Sequence, residues 1–240
     1  MNLPNADVSA VCIPASPPPP LRAQPYTEHC RRLFDIAEHA VIGLSPFNGG
    51  FNPHTVQGLV AWGVGHFRRI DVLLPGYEAA HTLVAAGARP LDAVRRLRHA
   101  LNALRNAATR QLQECGIDRP EQRVHTWTRL QDRAAYLDLR RELERRSRLE
   151  PWLHQACESA ARNAVAGSGG AVASDSAVQY AVQYALAELP FLVDSPSIFG
   201  AASSVFVYPR PIPLVHALLE RDDALPRHRG QGYVSVHRLP

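Results

Sequence analysis

The stretch His39-Ala-Val-Ile-Gly-Leu-Ser45-Pro46 constrains this chain more than any other. It opens as a short apolar run with two β-branched residues, Val41 and Ile42, the composition of a buried strand. Pro46 cannot continue a central ladder and Asn48-Gly49-Gly50 marks a loop, so the strand must stop beside Ser45. A helical pattern follows from about His54 to Arg69, with Val56, Leu59, Val60, Gly63 and Phe67 toward the core. Ile70-Asp-Val-Leu-Leu74 then reads as a second buried strand, stopped by Pro75-Gly76. Strand, helix and strand in this order form a βαβ unit, which implies parallel strands and a right-handed crossover. Ser45 would stand at the carboxyl end of an inner strand, where open α/β sheets place their ligands. Position alone better suits a serine that bonds local backbone in a turn.

The rest of the chain keeps the alternation. A short helix is predicted from about Thr27 to Ala37, capped by Thr27. A long one is predicted from about Pro90 to Glu114, with Pro90 in its first turn and Gly116 just beyond its end. At 100° per residue, Leu97, Leu101, Leu104, Ala108 and Leu112 share one side of it. Arg95, Arg98, Asn102, Arg105, Asn106 and Thr109 share the other, with no acidic residue among them. Such a face suits phosphate groups or plain solvation. Gln122 to Thr128 reads as a third strand, followed by helices at Arg129 to Arg148 and Glu150 to Val165 and a mobile loop at Gly167 to Gly170. A helix from Ser174 to Glu188, capped by Ser174 or Asp175 and ended by Pro190, sets Tyr180, Tyr184 and Glu188 on one stripe. A strand at 203–208 places Tyr208 at a strand end like Ser45, and a helix near Leu214 to Glu220 and a strand at Tyr233 to His237 finish the pattern. The expected fold is α/β, a Rossmann-like parallel sheet flanked by helices in a single domain over residues 26–240. Residues 1–25, with Pro17 to Pro20, read as a proline-rich leader outside the fold.

Composition narrows the function mainly by exclusion. No run approaches the apolar length of a membrane span, and the amino terminus lacks the pattern of a secretory signal. The four cysteines have no paired spacing and the eleven histidines no ligand spacing, so neither a disulfide framework nor a metal site is expected. A monomer in a reducing cytoplasm fits. All 26 basic side chains are arginine, in a chain of net charge +4. Arginine suits phosphate recognition, although lysine-free composition also follows from a genome rich in G and C. Neither a Gly-Lys-Ser/Thr phosphate loop nor a dinucleotide fingerprint occurs, so no cofactor is indicated. The lipase elbow would need glycine where Phe47 stands. A serine, a glutamate and tyrosines suit acyl transfer from an already activated ester.

At this point a resemblance becomes specific. The runs HAVIGLS at 39–45 and YALAELP at 184–190 are similar to the two signature motifs of the cyclodipeptide synthases, and SSVFVYP at 203–209 matches that family's layout. The likeness extends from about residue 28 to 237. It implies a fold like the catalytic domain of class I tyrosyl- and tryptophanyl-tRNA synthetases without their ATP-binding signatures. It implies two aminoacyl-tRNAs as partners, no DNA, and a cyclic dipeptide, a 2,5-diketopiperazine, as product. Ser45 would carry the aminoacyl and then the dipeptidyl ester in a ping-pong scheme, and Gly43 would leave room beside it. Tyr184 and Glu188 would hold the ammonium group, and Tyr208 would assist positioning or proton relay. Val41, Leu73, Trp127 and Phe191 would line the first aminoacyl pocket, with Trp127 favouring a small first residue. Arg95, Arg98 and Arg105 would contact tRNA phosphates. Ala185 departs from the family's usual branched aliphatic. Asn48 follows one subfamily and Tyr208-Pro209 the other; the proline favours the second. The competing readings are a serine esterase or acyltransferase acting on small esters, and a non-catalytic aminoacyl-tRNA-binding protein.

Overall fold

The structure is a computed structural model that describes residues 21–46, 49–168, 174–221 and 225–238. Strands β1 (Leu21–Pro25), β2 (His39–Gly43), β3 (Arg69–Leu74), β4 (Val124–Thr126), β5 (Ser204–Tyr208) and β6 (Gln231–Arg238) form one sheet in the order β1-β6-β5-β2-β3-β4. Five strands run parallel, and β1 pairs antiparallel with β6 along the edge. The helices are α1 (Glu28–Ile36), α2 (Pro53–His66), α3 (Ala79–Ala85), α4 (Pro90–Glu114), α5 (Trp127–Leu130), α6 (Ala134–Leu149), α7 (Pro151–Gly167), α8 (Asp175–Phe199) and α9 (Pro213–Glu220). None of them is long and apolar enough to cross a membrane.

Buried strands alternate their side chains between two cores. Ala40, Ile42, Val72, Leu74, Val205 and Val207 join α2 and α4 on one face. Val41, Leu73, Phe206 and Tyr233 join α8 and its neighbours on the other. Because both faces are covered, the strands are continuously apolar, as the sequence of β2 already suggests. The predicted α4 matches residue for residue, with its five apolar positions buried and Gly116 at φ +75° after its end.

Several expectations need correction. Leu21–Pro25 belong to the fold: Leu21, Ala23 and Pro25 turn partly inward while Arg22 and Gln24 face solvent; residues 1–20, the remainder of the expected proline-rich leader, lie outside the described residues. Proline in β1 is tolerated because it is an edge strand. The third strand shrinks to Val124–Thr126, for a 3-10 turn at Pro120–Arg123 precedes it and α5 takes Trp127 and Thr128. The charged helix accordingly begins at Ala134. Pro190 does not end α8, which continues to Phe199. Proline costs that helix one internal hydrogen bond, but α8 is packed on α3, α6 and α7, and the Tyr136 hydroxyl donates to the Ala187 carbonyl. The break comes at Asp194 (φ −151°, ψ 60°), whose carboxylate accepts from the Ser197 N–H and restarts the last turn. Of the predicted mobile loop, residues 169 and 170 lie outside the described residues.

One polar cluster sits within the sheet, near the amino ends of its strands. Asp71 on β3 accepts from His39 Nε2 (3.0 Å) on β2 and His125 Nε2 (2.8 Å) on β4. Both imidazoles spend their Nε2 proton on the carboxylate, so His39 Nδ1 is left to accept from Ser204 Oγ (2.9 Å) on β5. Phe199 covers the cluster, its ring 5.5 Å from each imidazole. Burial pushes the Asp71 carboxyl up, but the bonds from His125 and His39 outweigh it and hold the group at about 2. Burial holds His39 below its ordinary value, in the neutral form. Four adjacent strands are thereby tied through one carboxylate. Because the Asp71 carboxyl is held below its unfolded value, its contribution is complete above pH 4 and disappears as pH falls from about 4 to 2. Asp71→Asn leaves one imidazole N–H unpaired; chemical denaturation at pH 7 is expected to show a loss of about 3 kcal/mol. The variant should also lose the wild type's steep fall in stability between pH 4 and pH 2.

Candidate active site

The carboxyl end of the sheet is built around what β2 lacks. Gly43 is its last residue, and a Cβ there would lie 2.9 Å from the Phe206 ring and 3.4 Å from the Tyr208 ring. The glycine thus lets the Phe206 ring close against the strand, while the Tyr208 ring stands at ordinary contact distance. The ladder continues one step further, with the Leu44 N–H donating to the Leu73 carbonyl (2.9 Å), before Pro46 forces the chain away. Ser45 is thus presented at the crest of the sheet, partly exposed, with Leu44 buried behind it.

Helix α8 brings the second group of residues. Tyr184 and Glu188 are one turn apart and face the serine. The hydroxyls of Tyr184 and Ser45 are hydrogen-bonded to each other. Burial, followed by the neighbouring Glu188 and Tyr208, pushes the Tyr184 phenol well above its ordinary value, so it remains protonated. Burial alone pushes the Glu188 carboxyl up to about 7. Tyr208, the last residue of β5, completes the group, its ring edge-on to Phe51 at 5.6 Å. Tyr180, the third member of the predicted stripe, lies outside: it is 51% exposed and stacks on His81 with ring centres 4.3 Å apart.

Ser45, Tyr184, Glu188 and Tyr208 line two connected spaces. The outer cavity holds ≈ 410 Å³, with Asn163 of α7 and Arg210 opposite the four residues. The inner one is only ≈ 10 Å³, closed by Gly43, Leu73, Trp127 and Phe206. Trp127 is buried and packs on Tyr184, with ring centres 5.0 Å apart. Of the four residues expected around the first aminoacyl group, Leu73 and Trp127 line the inner space. Val41 and Phe191 sit in the core; the Phe191 ring is 6.2 Å from that of Trp127 and supports it from behind. Asn48 lies outside the described residues. Arg95, Arg98 and Arg105 lie on the outward face of α4; Arg98 and Arg105 border a separate cavity and Arg95 does not. No group of three or more His, Cys, Asp or Glu side chains among the described residues could hold a metal ion.

Sequence reasoning missed Arg210, Asn163 and Phe206. Arg210 had a usable signal, since it follows a strand end directly in Tyr208-Pro209-Arg210. Asn163 had none, because nothing local distinguishes it from other polar positions of α7.

Residues 21–238 match the family described as Cyclodipeptide synthase. A relative from Bacillus subtilis, Cyclo(L-leucyl-L-leucyl) synthase, is 31% identical over 223 residues, covering 90% of this chain and 89% of its own. Cyclo(L-tyrosyl-L-tyrosyl) synthase of Mycobacterium tuberculosis is 28% identical over 89% of this chain and 74% of its own. In fold, a cyclodipeptide synthase from Bacillus thermoamylovorans superposes with a TM-score of 0.86 at 23% identity, over 92% of this chain and 97% of its own. A Mycobacterium tuberculosis protein, whose structure is described as demonstrating that cyclodipeptide synthetases are related to type I tRNA synthetases, gives 0.80 at 26% identity, over 91% and 94%. With the family match spanning nearly the whole described fold, the chain belongs to the cyclodipeptide synthases, a family of transferase enzymes.

Proposed function

We propose that this enzyme joins the aminoacyl groups of two aminoacyl-tRNAs into a cyclic dipeptide, with Ser45 carrying both covalent intermediates. The observation that supports this reading best is the convergence of Ser45, Tyr184, Glu188 and Tyr208, from three distant segments, on one cavity. In the first step Ser45 Oγ attacks the ester carbonyl, and the terminal ribose oxygen of the tRNA leaves with the serine's proton. The ester is already activated, so one ester replaces another and no energy source is consumed. The amine of the second aminoacyl-tRNA then attacks the aminoacyl-serine carbonyl, forming the amide and freeing the Ser45 hydroxyl. That hydroxyl next attacks the dipeptidyl-tRNA ester, takes up the dipeptide and releases the second tRNA with the serine's proton on its ribose oxygen. Attack of the free amine on the remaining ester closes the ring and releases the last hydroxyl.

Glu188 has the properties this scheme needs. A carboxyl at about 7 is balanced between acid and base near neutral pH. An incoming ammonium group stabilises its ionised form, so binding the first aminoacyl group draws a proton off Glu188. The nearly filled inner space supports a small first side chain, with Trp127 as the limiting wall. The outer cavity has room for the second aminoacyl group.

Four outcomes test this. Ser45→Ala is expected to abolish the acyl-enzyme, seen by intact-protein mass spectrometry after mixing with aminoacyl-tRNA, and to abolish cyclic dipeptide; full yield from that variant overturns the scheme. Below pH 7, where Glu188 must first lose a proton, KM for the first aminoacyl-tRNA should rise up to tenfold per pH unit, and Glu188→Gln should flatten that limb. In the free enzyme the same raised value means that stability falls as pH rises from about 4.5 to 7, by on the order of 3 kcal/mol. Glu188→Gln should therefore melt higher than the wild type at pH 8 and alike near pH 4. Finally, Trp127→Ala should enlarge the inner space and shift the first residue toward larger side chains, read as a change in product masses from a mixture of charged tRNAs.

A further inference from the structure

A cavity of ≈ 280 Å³ lies between the polar face of α4, the loop that follows β3 and the junction of β4 with α5, apart from the serine site. Arg98 and Arg105 of α4 and Arg129 of α5 converge on it, together with Asn102 and Tyr77. No acidic side chain lines it. The carboxylate that comes near, Glu78, accepts on Oε1 from Arg140 (2.9 Å) and Gln131 (3.2 Å), while its Oε2 is buried behind Gly76 and Thr128 rather than in the cavity lining. Arg69, Arg123, Arg140 and Arg146 spend their charge on carboxylates. The three cavity arginines take part in none of the ion pairs among the described residues, and Arg105 only donates to Asn102 Oδ1 at 3.4 Å. Tyr77 is 60% exposed at the rim, a large apolar ring left facing water. Unpaired guanidinium groups call for an anion, and a free aromatic face beside them calls for a flat partner. Phosphate with an attached base satisfies both.

The location fits such a ligand. Thr126 and Thr128 border this cavity while Trp127 between them borders the inner space beside Ser45. Strands lie about 4.8 Å apart, so the end of β4 is about 10 Å from the strand that presents Ser45. That is a span of one or two nucleotides. We propose that this cavity seats one of the unpaired nucleotides at the acceptor end of the first aminoacyl-tRNA, its base stacked on Tyr77 and its phosphate held by Arg98, Arg105 and Arg129. Asn102, Thr126 and Thr128 supply neutral donors and acceptors for the sugar and base edge. The inference rests on the aminoacyl-tRNA reading above, and adds a nucleotide seat with an aromatic floor to a merely basic helix face.

The test is titration of the full chain with a short single-stranded RNA ending in cytidine-cytidine-adenosine, and with versions lacking the base at each of the three final positions. The wild type is expected to lose about tenfold in affinity at one of those positions. Tyr77→Ala should show the same loss with the intact RNA and no further loss with the abasic one, while Tyr77→Phe stays within about twofold of the wild type. Arg129→Ala should weaken every RNA and lower the salt slope by about one. Equal binding of intact and abasic RNAs by the wild type, or unaltered binding by Tyr77→Ala, overturns the seat; so does no measurable binding. Acylation of Ser45 by full-length aminoacyl-tRNA is scored separately. Its absence defeats the proposed reaction, and the oligonucleotide titration then still decides the seat.

Discussion

A single buried carboxylate sets the level of the sheet. Asp71 reaches sideways to both neighbouring strands and, through His39, to Ser204 on the strand beyond. Parallel strands buried on both faces have little patterning to resist slippage, because apolar side chains point both ways. A slip of one residue in β2 would turn Ile42 toward the α8 side and rotate the crest that ends in Ser45. Hydrogen bonds of fixed length to one charged group penalise that slip in a way that apolar contacts do not. The end of the sheet that presents Ser45 therefore depends on a polar cluster at its opposite end.

Two acids on the α8 side of the sheet, Asp71 toward one end and Glu188 toward the other, are treated in opposite ways. Asp71 is supplied with donors and held ionised at about 2. Glu188 is given no compensating donor strong enough to offset burial and rises to about 7. The first arrangement strengthens the scaffold. The second weakens it at neutral pH, which is the usual cost of a group whose partner arrives with the substrate. Tyr184, kept protonated beside Ser45, extends the same arrangement by one hydroxyl.

Much of this was legible in the sequence where local chemistry decides. Thr27 caps α1 through the Cys30 N–H, Ser174 caps α8 through the Ala177 N–H, and Pro90 and Gly116 bracket α4. The site could be reached from Ser45 and Tyr208 because strand ends are marked by Pro46 and Pro209. Tertiary packing accounts for the misses. Pro190 looks like a stop signal, but the helix around it is buried on several sides and the neighbouring carbonyl receives the Tyr136 hydroxyl. Leu21–Pro25 look like the end of a leader because their partner, β6, is more than 200 residues away. Phe191 looks like a pocket wall by analogy, and only the rings of Trp127 and Tyr136 on either side of it reveal a buttress.

The three residues Thr126-Trp127-Thr128 deserve a different description from the one their secondary structure gives them. The strand ends and a helical turn begins within them, so consecutive side chains diverge into two compartments. Trp127 faces the serine, and its two neighbours face the arginines. This short hinge of sequence is a partition between two cavities, and on the proposed reading it separates the amino acid's chamber from the carrier's. Its bulk cannot be changed on one side without moving the other. On that reading, a change of bulk that admits a new amino acid also disturbs the fit of the carrier, and a compensating change is to be sought on α4 rather than around Ser45.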